Sequence, residues 1–111
     1  MKNAFDRYIP KVSHEEFTDL IVYKEPLYKE KILDYLTSEK HTIGYTTEPV
    51  YDRLNGEKVY GFWETEDEVM TDDLYNDGIY TWHGSDIYCL SKYNIMPTEE
   101  FVRYVLDKAV R

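Results

Sequence analysis

The amino-acid sequence predicts an α+β fold in which a small antiparallel sheet packs with N-terminal and C-terminal helices. Apolar residues recur with helical spacing near both ends of the chain, whereas aromatic and β-branched residues cluster between them, as strands require. The chain has 111 residues, of which 42% are hydrophobic and 16% aromatic. This length and composition suffice for a core without a disulfide or metal. We therefore expect residues 1–111 to form a single domain.

The stretch 77–93 holds the clearest structural signals in the chain. A turn signal at 77–78 precedes aromatic and β-branched residues at 79–82, which suit a half-buried strand. Ser85 is then a good N-cap for an apolar helix. The stretch predicts a strand that leads directly into a helix, with Trp82 at the junction.

The N-terminal third begins with an arm, residues 1–12, whose conformation the pattern leaves open. Ser13 and Glu16 form a capping-box signal at the start of a short helix. Pro26 interrupts that helix and can itself begin the next one. Apolar side chains at i, i+4, i+7 and i+8 then predict an amphipathic helix with one buried face, made of Tyr28, Ile32, Tyr35 and Leu36.

The middle of the chain has the composition of strands. Residues 41–45 and 50–51 are rich in Thr and Tyr, and Asn55-Gly56 is a strong hairpin signal that predicts a type I′ turn. The following segment, 58–65, has apolar residues on both faces and therefore predicts a central, covered strand. Trp63 within it is expected in the core.

The C-terminal third carries the acidic segment 64–77, which has no Lys or Arg and predicts a loop or a short edge strand. From Pro97 the sequence predicts a final helix whose apolar face includes Phe101 and Val105. The short link from the preceding helix predicts a C-terminal helical pair.

The charge of the chain restricts its partners. The net charge of −9 disfavours direct binding to nucleic acid or to an anionic membrane, and favours a basic partner. No segment has the length of a membrane span, and the N-terminus lacks the apolar region of a signal peptide. The lone Cys89 is expected to be a buried, reduced thiol, which fits a cytoplasmic location. Oligomeric state is left open.

Catalytic and metal-binding patterns are weak. His83, Ser85 and Asp86 are the candidates for a triad, but triad members usually come from separate elements, and helix capping explains these residues better. The segment from Asp73 to Gly84 departs from a calcium loop at its third and twelfth positions, and the histidines lack companion cysteines for zinc. No phosphate-binding glycine loop is present. We expect a non-enzymatic protein with no metal or cofactor.

The acidic segment is instead a candidate contact surface. Its carboxylates lie beside aromatic residues, and aromatics near complementary charge are typical of binding hot spots. A solvated acidic face is an equally simple explanation of the charges. The candidate partner-binding residues are Glu64, Glu66, Asp67, Glu68, Asp72, Asp73, Tyr75, Asp77 and Tyr80.

The C-terminal half also carries motifs in a recognisable order. They are Gly61-Phe62-Trp63-Glu64-Thr65, Asp77-Gly78-Ile79-Tyr80-Thr81-Trp82, Asp86-Ile87-Tyr88-Cys89-Leu90-Ser91-Lys92-Tyr93 and Pro97-Thr98-Glu99-Glu100-Phe101. This series resembles small bacterial immunity proteins of polymorphic toxin and contact-dependent inhibition systems. The resemblance implies binding and neutralisation of a toxin made by the same cell, often a basic nuclease, and carries over no catalytic residue.

The sequence therefore predicts a protein-binding inhibitor, and specifically an immunity protein against a cognate basic toxin domain. The alternative in the same binding class is an inhibitor that mimics nucleic acid and blocks a host nuclease or DNA-binding protein. A small enzyme that uses His83, Ser85 and Asp86 is the third hypothesis.

Overall fold

The computed structural model describes residues 1–63 and 66–109 and confirms the α+β fold. The strands are β1 (Lys2–Asn3), β2 (Thr42–Gly44), β3 (Leu74–Asn76) and β4 (Tyr80–His83). The helices are α1 (His14–Leu20), α2 (Lys29–Leu36), α3 (Gly84–Tyr93) and α4 (Glu99–Ala109).

The sheet is mixed, whereas the sequence predicts an antiparallel sheet. Its strand order is β1-β4-β3-β2, and β1 runs parallel to β4. The N-terminal arm enters beside β4, where the Lys2 amide donates to the Ile79 carbonyl over 3.0 Å and the Ala4 amide donates to the Thr81 carbonyl over 2.9 Å. These bonds are made by the backbone, which explains why no side-chain pattern indicates this strand.

The buried face of the sheet is aromatic. Tyr75 of β3 lies opposite Trp82 of β4 and Ile43 of β2. Trp82 is 1% exposed, and its indole N–H donates to the Leu36 carbonyl at the end of α2 over 3.2 Å. The predicted core position of Trp82, at the junction of strand and helix, is confirmed.

The helices nearest the N-terminus follow their sequence signals closely. Ser13 caps α1 by accepting a hydrogen bond from the Glu16 amide, as predicted. The second helix begins at Lys29, and not at Pro26 as predicted, because Tyr28 has a left-handed backbone with φ of 66°. Ile32 and Leu36 are buried as expected, whereas Tyr28 lies outside the helix and is half exposed.

The start of α3 differs from the sequence prediction. His83, and not Ser85, is the N-cap residue, and its backbone N–H donates to the Asp86 carboxylate over 2.9 Å. Ser85 lies one residue inside the helix, where its own amide donates to Asp72 over 2.8 Å. Strand β4 therefore runs into α3 without an intervening turn.

The last helix confirms the predicted apolar face, since Phe101 and Val105 are buried. The two C-terminal helices do not pack mainly on each other, as the predicted helical pair would require. Helix α2 lies against both α3 and α4, so α3 and α4 pack through α2 and the sheet more than on each other. The Phe101 ring reaches Tyr80 and Trp82 at centroid distances of 5.0 and 5.8 Å.

The middle of the chain departs most from prediction. The chain reverses near Asn55-Gly56, but only Gly56 has positive φ, so the turn is not type I′. Of the expected central strand at 58–65, residues 58–63 form only isolated bridges, which join the segments 49–51, 58–60 and 69–71, and residues 64 and 65 lie outside the described residues. Strand β3, expected at most at an edge, is interior to the sheet. Val59 still reaches the core and Phe62 packs against Tyr88 of α3, although the segment forms no long strand.

Asp52 anchors this middle region to α3. Its carboxylate is 3% exposed and accepts hydrogen bonds from the Tyr88 and Tyr93 hydroxyls, the Lys92 ammonium and the Leu54 amide. Burial alone would raise the pKa of Asp52, but these donors outweigh burial and hold the pKa far below its usual value. The carboxylate thus remains ionised and fixes the 53–56 turn against α3.

Candidate protein-binding surface

The structure separates the predicted contact residues into internal and exposed groups. Glu64 lies outside the described residues. The buried or half-buried members are Asp72, Asp73, Tyr75, Asp77 and Tyr80. The exposed members are Glu66, Asp67 and Glu68. The acidic segment is therefore not one continuous face.

Asp77 bonds within the protein. Its carboxylate accepts hydrogen bonds from the Tyr35 and Tyr104 hydroxyls at 2.5 and 2.8 Å, and from the amides of Ile79 and Tyr80 at 2.9 and 2.7 Å. Burial opposes ionisation, but the hydrogen bonds lower the pKa of Asp77 to about 2. The carboxylate closes the β3–β4 turn and ties it to α2 and α4.

Asp72 and Asp73 also support the fold. Asp72 accepts from the Tyr8 hydroxyl at 2.6 Å and from the Ser85 amide at 2.8 Å. Asp73 is 8% exposed and accepts from the Thr46 amide and the Thr71 hydroxyl, each at 3.0 Å. Both carboxylates hold neighbouring segments together.

Tyr75 and Tyr80 contribute their rings to the core instead of to an accessible surface. They are 6% and 3% exposed. The Tyr75 ring stacks parallel to Trp82, and the Tyr80 ring packs edge-on against Phe101. Burial raises the pKa of Tyr75 to about 12. Alternation along β3 and β4 directs both side chains toward the helices.

Glu66, Asp67 and Glu68, which we call the acidic tip, lie together in the loop that joins residues 61 and 69. The Gly61 amide donates to the Glu68 carbonyl over 3.1 Å, which brings the two arms of the loop together. Gly61 has φ of 67°, so its lack of a side chain suits the bend. The tip presents three consecutive acidic side chains to solvent.

The bridged segments below this tip have one buried and one exposed face. Val50, Val59 and Met70 are buried. Side chains of bridge partners share a face, and neighbours along each segment point the opposite way. The outward-pointing side chains, which we call the outer face, are Pro49, Tyr51, Lys58, Tyr60, Val69 and Thr71, of which Pro49, Val69 and Thr71 are only partly exposed.

Tyr51 and Tyr60 are the prominent side chains of the outer face, at 49% and 58% exposure. Trp63, expected in the core, is 42% exposed. Its ring packs edge-on against Phe62 at 4.8 Å, and Phe62 in turn contacts Tyr88 of α3. The rings of Tyr51, Tyr60 and Trp63 are thus all accessible in this region.

Known proteins give no further guide to this surface. No family model, curated protein or solved structure matches the chain.

The residues of the enzyme hypothesis are close in space but are not arranged as a triad. The His83 Nδ1 atom lies 3.6 Å from the Asp86 carboxylate, and this nearby carboxylate raises the pKa of His83 above its usual value. Ser85 lines a different cavity from the one that His83 and Asp86 line. Ser85 Oγ has no hydrogen-bond partner among the described residues, so no base contacts this hydroxyl.

Cys89 is a poor candidate nucleophile. It is a free thiol, 4% exposed, as the sequence predicts. Burial, with a smaller contribution from nearby carboxylates, raises the pKa of its thiol well above the usual range. The thiolate that would be the reactive form is therefore strongly disfavoured.

The part of the chain that the structure describes offers neither a metal-binding cluster nor a membrane-spanning helix. Within residues 1–63 and 66–109, no group of three or more His, Cys, Asp and Glu side chains could hold a metal ion. In the same part of the chain, no helix has the length and apolar character needed to cross a membrane.

Sequence reasoning missed the contributions of Tyr51 and Glu48 to the exposed surface. Both residues are exposed, and Tyr51 belongs to the outer face. The alternation of Pro49, Val50 and Tyr51 could have indicated an outward Tyr51. Its neighbours across the bridges come from segments up to residue 71 and are set by tertiary structure.

The outer face and its acidic tip combine exposed aromatic rings with carboxylates. The tip carboxylates can accept hydrogen bonds from Lys and Arg side chains. The exposed tyrosine rings can bury apolar area and can also contact cations through their faces.

Proposed function

We propose that this chain is a non-enzymatic inhibitor that binds a cognate basic protein, in the manner of a bacterial immunity protein. The observation that carries the proposal is the combination of half-exposed tyrosines on the outer face with the acidic tip at residues 66–68. The resemblance of the C-terminal motifs to immunity proteins supplies the specific role.

In the proposed interface, different residues provide the affinity and the electrostatic attraction that speeds association. Tyr51 and Tyr60 provide rigid aromatic area that becomes buried on binding, which is where hot-spot energy concentrates. The acidic tip, together with a net charge of −9, attracts a basic partner and raises the association rate. A toxin whose substrate is anionic would lose access to that substrate when its basic surface is covered.

Two of the internal carboxylates, Asp73 and Asp77, have no direct part in this mechanism. Asp72, Asp73 and Asp77 accept hydrogen bonds from the protein itself, so their replacement would disturb the fold. Tests of binding should therefore change the tip and the outer face.

The first prediction concerns the aromatic anchor. Tyr60→Ala should weaken the affinity for the captured partner about tenfold or more, because a central aromatic contact is worth roughly 2 kcal/mol or more. The partner would first be isolated from the source cells with the tagged protein, and binding would be measured by calorimetry. The matched control is Tyr23→Ala, since Tyr23 is 92% exposed and lies in the α1–α2 link away from the outer face. Equal losses in both variants would reject the outer face.

The second prediction concerns the acidic tip. The double variant Glu66→Gln, Asp67→Asn should lower the association rate several-fold at low salt and flatten its dependence on ionic strength. The control removes the same charge from the solvent side of α2, with Glu30→Gln and Asp34→Asn. Stopped-flow measurements from low to high salt compare the two. An identical salt dependence would show that net charge, and not the tip, does the steering.

The partner itself decides between the binding hypotheses. One basic polypeptide recovered at about equal stoichiometry supports the immunity role. Recovery of several unrelated DNA-binding proteins, each displaced by DNA, would replace it with nucleic-acid mimicry.

A further inference from the structure

A cavity of about 380 Å³ lies beside the N-terminus of α3. Its floor is buried and is formed by Ile9, Val50, Ser85 and Cys89, each less than 5% exposed. The rim is accessible and includes Tyr8, Pro10, Glu48 and Tyr51. The volume is in the range of sites that hold small ligands or single side chains.

The floor contains an unused polar group. Ser85 is 4% exposed, yet its Oγ has no hydrogen-bond partner among the described residues. Buried hydroxyls nearly always have a partner, so the Ser85 hydroxyl beside this cavity is an acceptor that no described group of the chain uses.

The charge of the cavity selects a cation. The end of α3, which would otherwise attract anions, is already occupied by Asp72, whose carboxylate accepts from the Ser85 amide. Glu48 adds a second carboxylate at the rim. Arg53 also lines the cavity and keeps its positive charge while it donates to the Ile9 and Val12 carbonyls at 2.6 and 2.7 Å, so two carboxylates face one guanidinium and the lining is acidic on balance.

The carboxylates retain capacity to accept. Asp72 receives hydrogen bonds from the Tyr8 hydroxyl and the Ser85 amide, one on each oxygen, while a carboxylate can accept about four. An added cation with several N–H donors therefore finds acceptors at Asp72, Glu48 and Ser85, above apolar walls that suit an aliphatic stem.

We propose that this cavity receives a lysine or arginine side chain of the protein partner. The inference rests on the proposed function, because the cavity adjoins the outer face through Pro49 and Tyr51, which belong to both. A partner lying on the outer face could insert one cationic side chain beside Tyr51. The cavity then serves as the side-chain socket that recognises one cationic residue of the partner, while the acidic tip attracts the partner at longer range.

The chemistry can be tested without the partner. We would titrate n-butylguanidinium and n-butylammonium into isotopically labelled protein and follow amide shifts by NMR. Binding with a dissociation constant on the order of 1 mM, with shifts centred on Val50, Ser85 and Cys89, is expected for a fragment of this size. n-Butanol and butyrate are the neutral and anionic controls. No localised shifts, or equal shifts with butyrate, would overturn the cation site.

Variants then test the assigned groups. Ser85→Ala and Glu48→Gln should each weaken n-butylguanidinium binding about threefold, by removing an acceptor or a charge. Both should leave thermal stability nearly unchanged, since Ser85 Oγ is unpartnered and Glu48 is exposed. The control Glu39→Gln removes an exposed carboxylate that does not line the cavity. Equal weakening in the control would overturn the assignment.

The complex separates this inference from the proposed function. If the partner binds, and if Ser85→Ala and Glu48→Gln weaken its affinity while Glu39→Gln does not, the side-chain socket is supported. Partner binding that is indifferent to both variants would overturn the socket and leave the inhibitor function standing. Fragment binding with no protein partner would reject the proposed function, and with it the partner as the source of the cation.

Discussion

Individual carboxylates in this chain have distinct tasks that their shared charge conceals. Asp52 and Asp77 each accept hydrogen bonds from two tyrosine hydroxyls and from backbone amides. Such charge-assisted bonds are stronger than those between neutral groups and keep the acids ionised within the fold. Glu66 and Asp67, in contrast, are exposed at the tip. Residue type alone does not separate the two groups.

The residue-scale prediction concerns acid stability. The hydrogen bonds of Asp77 lower its pKa from 3.8 to about 2 on folding, despite the opposing effect of burial. A lowered folded-state pKa contributes stability that is present above about pH 4 and is lost as the pH falls toward 2. The excess unfolding free energy of the unaltered protein over Asp77→Asn should therefore be constant near neutral pH and shrink below pH 4, as measured by urea denaturation.

The control for acid stability is Asp34→Asn, because Asp34 is exposed on α2. Its difference from the unaltered protein should be small at every pH. If the Asp77→Asn difference did not change between pH 5 and 2.5, the Tyr35 and Tyr104 bonds would not stabilise the ionised form.

At the scale of elements, the junction of β4 and α3 depends on close backbone approach. Gly84 begins α3, and its amide donates to the Asp73 carbonyl over 2.9 Å. A Cβ atom at Gly84 would lie 2.6 Å from the Thr71 carbonyl oxygen. The glycine thus permits the helix to start directly against the segment that precedes β3.

The element-scale prediction is that Gly84→Ala destabilises the protein by about 1–3 kcal/mol, because the clash involves backbone and outweighs the better helix propensity of alanine. Chemical denaturation measures the loss. Gly44→Ala is the matched control, since a Cβ there would meet its nearest atom, the Leu74 carbonyl oxygen, at 3.6 Å. Its effect should stay below about 1 kcal/mol. Equal effects at both sites would contradict a close approach at Gly84.

For the whole molecule, the N-terminal arm is part of the fold and not an appendage. Ala4, Phe5 and Ile9 are buried, and the Ala4 carbonyl accepts from the Thr98 amide over 2.8 Å at the start of α4. Arg53, from the distant turn, donates to the carbonyls of Ile9 and Val12 and lies 5.9 Å from the centre of the Phe17 ring. These contacts join segments far apart in sequence.

The prediction at this scale is that Arg53→Lys lowers the unfolding free energy by about 1–3 kcal/mol, because a lysine lacks the forked donors that satisfy both carbonyls. The same substitution at Arg103 is the control, since its ion pair with Glu99 is on the surface of α4. That change should cost less than about 0.5 kcal/mol. Thermal and urea denaturation compare the variants. A loss of unfolding free energy at Arg53 no larger than at Arg103 would show that the N-terminal arm does not depend on the two guanidinium hydrogen bonds.

The sequence by itself determined the elements whose signals are local. The Ser13 cap, the apolar faces of α2 and α4, and the strand leading to α3 with Trp82 at its end all follow from neighbouring residues, because capping, periodicity and turn chemistry act over a few positions. Tertiary structure alone decided the parallel pairing of β1, which uses backbone bonds that have no side-chain pattern. It also decided which acids are internal, since the tyrosines that hold Asp52 and Asp77 come from distant helices. The outer face and the Ser85 cavity exist only because separated segments meet there, so no single stretch of sequence could indicate them.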